Sequence, residues 1–63
     1  MSKTIGQQIK EARLVKGFNQ VQLAVDSMVS LSTIGALEQE KKTDTSTYNI
    51  RLLQKTLNIK IEL

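Results

Sequence analysis

Apolar residues recur along most of the chain at intervals of three and four, and the pattern breaks where Gly, Ser, Thr and Asn gather. Ile5, Ile9, Ala12 and Val15 keep helical spacing, with Leu14 beside them. They predict a first helix over about residues 5–16, with Thr4 as its N-cap and Gly17 as its C-terminal stop. Asn19 is the next candidate N-cap. It opens a second helix over residues 20–27, whose apolar positions are Val21, Leu23, Ala24 and Val25. Met28 and Val29 make a short connection. Ser30 then caps a third helix over about residues 31–40, with Ile34 and Leu37 facing inward. Residues 40–45 are polar and lack an apolar period, so they read as loop. A fourth helix is expected from Ser46 or Thr47 to Leu57, carrying Ile50, Leu53 and Leu57 on one stripe. Asn58 suits the left-handed end of that helix.

The tail changes period. Ile59, Ile61 and Leu63 alternate with Lys60 and Glu62, the pattern of a half-buried strand. Nothing else in the chain reads as a strand, and a lone strand needs a partner. The simplest partner is the same segment of a second copy, which makes Ile59, Ile61 and Leu63 the expected dimerisation residues. Antiparallel pairing about Ile61 would set Lys60 opposite Glu62. The alternative is a frayed tail, or one more helical turn packed on the core. The expectation is therefore one all-α domain over residues 1–63, with a possible short C-terminal β-strand.

Composition removes several classes of function. The 63 residues include no Cys and no His, so disulfides, thiolate metal sites and imidazole acid–base chemistry are absent. Glu11, Asp26, Glu38, Glu40, Asp44 and Glu62 form no ligand cluster by spacing, and Ser30 and Ser32 have no base to activate them. No glycine-rich phosphate loop is present. An enzyme is not expected, and neither is a cofactor. The net charge of +3 suits a polyanionic partner. No apolar run is long enough to span a bilayer and no signal-like segment opens the chain, so a cytoplasmic location is expected. A chain this short buries only about 60% of its unfolded surface, so it needs efficient packing or a partner subunit.

Residues 20–38 have the spacing of two short helices meeting at a three-residue turn. Ala24 is small where the helices approach, and Val29 can plug the gap between them. This leaves the start of the third helix free to enter a major groove, with Leu31, Ser32, Gly35 and Ala36 as its base-contacting face. Ile5-Gly-Gln-Gln-Ile-Lys-Glu-Ala-Arg13, Gly17-Phe18-Asn19-Gln20, Leu23-Ala24, Val29-Ser30, Ser32-Thr33-Ile34, Leu37-Glu38, Leu53 and Leu57-Asn58-Ile59 follow one another in order. Together they resemble the Cro/CI (Xre) family of helix-turn-helix DNA-binding domains.

The resemblance implies a lambda-repressor-like bundle of four to five helices. It also implies a homodimeric repressor or regulator of transcription on a pseudo-palindromic double-stranded DNA site. Asn19, Gln20, Ser30, Thr33, Lys41 and Lys42 then become expected phosphate contacts, and Gln39, one turn beyond the reading face, can reach a phosphate as well. Free N–H groups at the helix starts favour such anions. Arg13 and Glu38 resemble the family's structural ion pair. Two departures stand out. Met28 occupies a turn position where the family usually has Gly, at a cost of about 1 kcal/mol or more if its φ is positive. The reading face also lacks the Arg, Asn and Gln that bond bases bidentately, although Leu31 and Ala36 can touch a thymine methyl. Residues 53–63 also resemble the tail of HipB-like antitoxins, which would add a toxin protein as partner and autoregulation of an operon.

Overall fold

In the computed structural model, which describes residues 3–63, four helices enclose one apolar core. They are α1 (Ile5–Val15), α2 (Gln20–Ser27), α3 (Leu31–Glu38) and α4 (Thr47–Leu57). Each starts at a polar cap. Thr4 and Asn19 form reciprocal capping boxes with Gln7 and Gln22, while Ser30 and Ser46 accept from the N–H groups of Thr33 and Asn49. These caps hold donors that would otherwise be orphaned at the helix starts.

The helix ends are set by left-handed residues. Gly17 (φ 77°) closes α1, with Gly17 N–H donating to Leu14 O and Phe18 N–H to Arg13 O, both at 3.0 Å. The same two-bond closure ends α3. Glu40 takes φ 59°, its N–H reaches Leu37 O at 3.1 Å, and Lys41 N–H reaches Ala36 O at 2.9 Å. Helix α3 therefore stops at Glu38 and does not run on to Glu40. Gln39 and Glu40 are polar and compatible with a helix, so their composition gave no stop signal. Met28 (φ 62°) and Asn58 (φ 55°) are the other left-handed residues without a glycine's freedom.

Ile9, Leu23, Ile34, Leu37, Leu53 and Leu57 are fully buried at the centre of the core. Ile5, Val29, Ile50 and Ile61 complete it. Two helices turn differently from their expected apolar faces. On α1 the inward stripe is Ile5, Gly6, Ile9 and Arg13, with Ala12 at its edge, whereas Leu14 and Val15 point to solvent. Val15 lies about 120° round the helix from Ile9, too far to share its face. On α2, Val21 and Val25 are exposed, and Leu23 and Ser27 are the buried pair, four residues apart.

The tail is corrected more deeply. No strand forms among the described residues. Ile61 is only 4% exposed and packs into the core of its own chain. Its N–H donates to Gln54 Oε1 at 2.8 Å. Gln8 clasps the next residue on both sides, accepting from Glu62 N–H and donating to Glu62 O, each at 2.7 Å. Antiparallel pairing about Ile61 needs either the Ile61 N–H or the Glu62 N–H for the partner strand. Both donors are already committed within the chain. Of the expected dimerisation residues, Ile59 is half-buried and Leu63 is exposed.

Candidate nucleic-acid interface

The geometry of the site begins with the junction between α2 and α3. Helix α2 ends at Ser27, Met28 turns the chain by its left-handed conformation, and Val29 drops into the core. Val29 N–H is held by Ser27 Oγ at 3.2 Å, which explains why a serine is buried there. Ser30 then starts α3, accepting from Thr33 N–H at 3.2 Å and donating to Thr33 Oγ1 at 2.7 Å. Ile34 and Leu37 hold α3 by its inner face. The opposite face carries Leu31 and Ser32, both exposed, then half-buried Gly35 and Ala36, then exposed Gln39. Ser30, Leu31 and Ser32, at the amino end of α3, are all exposed.

A network behind α3 fixes its angle. Arg13 Nε and Nη2 donate to the two carboxylate oxygens of Glu38, each at 2.9 Å, and Nη1 donates to Phe18 O at 2.9 Å. The Glu38 side chain is 3% exposed. The hydrogen bond from Glu38 raises the Arg13 pKa above its ordinary value, with the charge attraction adding to it against the desolvation of the guanidinium. Gln20 Nε2 also donates to Glu38, at 3.1 Å. That bond draws the first residue of α2 onto α3 beside Gly35. At the other end of the contact, Gly6 of α1 lies against the Leu37 carbonyl. A Cβ at that position would sit 1.8 Å from the oxygen, so only glycine permits the approach.

A helix-turn-helix family model matches residues 9–63. The chain belongs to the Cro/CI (Xre) type of helix-turn-helix family. It is a DNA-binding regulator of transcription. No curated protein and no solved structure matches the chain significantly.

Within this helix-turn-helix protein, the residues expected at phosphates fall into two groups. Asn19, Ser30, Gln39, Lys41 and Lys42 are exposed. Lys41 and Lys42 make no ion pair among the described residues. Gln20 and Thr33 are half-buried, and each already gives or accepts a hydrogen bond within the chain. Sequence reasoning missed Gly6, Ser27 and the Gln8 and Gln54 side chains. For Gly6 the one available signal was a glycine inside an otherwise regular helix. Among the described residues no cluster of carboxylates could hold a metal ion, and no helix is long and apolar enough to cross a membrane.

Proposed function

We propose that the protein is a sequence-specific repressor that binds double-stranded DNA as a homodimer, with the amino end of α3 in the major groove. The observation that carries this reading is that Leu31 and Ser32 are exposed at the amino end of α3, while its carboxyl end is held by the Arg13–Glu38–Gln20 network and followed by exposed Lys41 and Lys42. Leu31, Ser32, Gly35 and Ala36 meet base edges. Asn19, Ser30, Gln39, Lys41 and Lys42 meet phosphates, and Gln20 and Thr33 brace the helix starts that carry them. An eight-residue helix offers few contacts, so two linked copies are needed for useful affinity.

The test is titration of a labelled duplex pool at two salt concentrations. Tight binding that weakens with salt supports the reading, and no binding at low salt rejects it. Lys41→Ala and Lys42→Ala together remove two phosphate contacts. They are expected to flatten the log–log salt slope by about 1.8, from about 0.9 per contact. An unchanged slope would take both lysines off the DNA. A repressor needing no protein ligand is preferred to the antitoxin reading, which relied on a free terminal strand. The Ile61 and Glu62 donors of that tail are engaged in its own chain.

A further inference from the structure

The reading end of α3 is short of groups that bond bases, and the structure shows where the nearby amides have gone. Gln20 Nε2 is given to Glu38. Gln22 Oε1 accepts from Asn19 N–H, and Asn19 Oδ1 accepts from Gln22 N–H. An amide reads adenine by offering its oxygen and its nitrogen together. In each of these three side chains one of the two is already engaged. Gln39 is exposed, but it lies about 12 Å along the axis from Leu31, at the far end of α3. Ser30 Oγ donates to Thr33 Oγ1 at 2.7 Å and lies 3.4 Å from Ser32 Oγ, so the three hydroxyls of the tip are linked to one another.

What the tip does present is apolar. Leu31 is 45% exposed and Met28 is 85% exposed, side by side along one shallow depression. Ala36 lies five residues on, about 140° round α3 from Leu31, and is half-buried. Gly35 carries no side chain, and a Cβ there would meet Gln20 Oε1 at 3.9 Å, an ordinary contact. In the major groove the apolar feature of a base pair is the methyl group on pyrimidine C5. Thymine carries it, and 5-methylcytosine carries the same methyl at the same atom.

We infer that the tip of α3 recognises C5-methyl groups of pyrimidines through Leu31, with Met28 closing the side, so that thymine and 5-methylcytosine are equivalent at the positions it reads. This rests on the DNA-binding reading above and deepens it. Specificity then follows burial of methyl groups more than hydrogen bonding. Covering one methyl is worth ~0.8 kcal/mol, or about fourfold in affinity.

The experiment starts from a duplex selected out of a randomised pool. Each thymine is replaced in turn by deoxyuridine, which pairs identically and lacks only the methyl. The expected result is a loss of about fourfold at one or two positions per half-site. At those positions a 5-methylcytosine–guanine pair is expected to bind about fourfold better than the unmethylated pair. Leu31→Ala, at an exposed site that leaves the core intact, is expected to erase the difference between thymine and uracil where Leu31 reads, with the salt slope unchanged. If thymine and uracil duplexes titrate together at every position, the inference is overturned while DNA binding stands, and the apolar tip is left to a protein partner. Discrimination that survives Leu31→Ala also overturns it. If no duplex binds at low salt, the DNA-binding reading falls and the inference falls with it.

Discussion

Glu38 accepts three hydrogen bonds from two side chains that arrive from different helices. Its carboxylate is buried, so its value depends on keeping every partner. Removing it leaves the Arg13 cation bare in a site with little water. Glu38→Ala is expected to cost ~3–5 kcal/mol. That is most of the ~3–9 kcal/mol available to a chain of this size. Urea titration followed by circular dichroism should find the variant largely unfolded at 25 °C. Replacing both Arg13 and Glu38 by Met should recover much of the loss, because the uncompensated charge disappears with its partner. Changes of pH near neutrality leave the guanidinium untouched. Its pKa is raised, so its contribution is complete below the ordinary arginine range and is lost only above it. The pairing of Arg13 with Glu38 could be anticipated from a resemblance. The pull of Gln20 onto Glu38 could not, since the sequence offered Gln20 only as a phosphate contact. Gly6 was hidden for a different reason. A glycine within a helix reads as a local cost, and its cause is the Leu37 carbonyl of another element.

At the level of elements, the starts were easier to read than the ends. Thr4, Asn19, Ser30 and Ser46 advertise themselves, because few other side chains can accept from a free helical N–H. An end is signalled clearly only when glycine supplies the left-handed residue, as at Gly17, and more weakly by an asparagine such as Asn58. Glu40 does the same work without glycine, so nothing in its side chain announces the stop. Glu40→Gly is expected to relieve about 1 kcal/mol of backbone strain and to raise the melting temperature by roughly 5 °C. Differential scanning calorimetry checks this. A lower melting temperature would mean that the Glu40 side chain contributes more than its backbone costs. Faces followed the same logic. The stripe Ile50, Leu53 and Leu57 is clear, because Leu52 is the only other aliphatic residue in α4. On α1 and α2 there are more apolar residues than the core can take. Spacing alone could not tell that Val15, Val21 and Val25 would be left outside.

For the molecule as a whole, the alternation Ile59, Ile61, Leu63 marks burial at Ile61 alone, with Ile59 half-buried and Leu63 exposed. Ile61 faces apolar surface, but that surface belongs to its own chain. The proposed pairing of two copies on DNA is best tested without assuming where they touch. A duplex carrying two half-sites 10–10.5 base pairs apart, about one helical turn, is expected to bind far more tightly than a single half-site. Inserting five base pairs turns the second site to the opposite side of the duplex and should abolish the gain. Equal affinity for both spacings would reject the dimer. The clasp that Gln8 places on Glu62 has one more consequence, visible in heavy water. The last five residues have no helix or strand, yet the amide protons of Ile61 and Glu62 should be retained for as long as the fold stays closed. Gln8→Ala should release the Glu62 proton to solvent within the dead time and leave the Ile61 proton slow, since Gln54 guards that one alone.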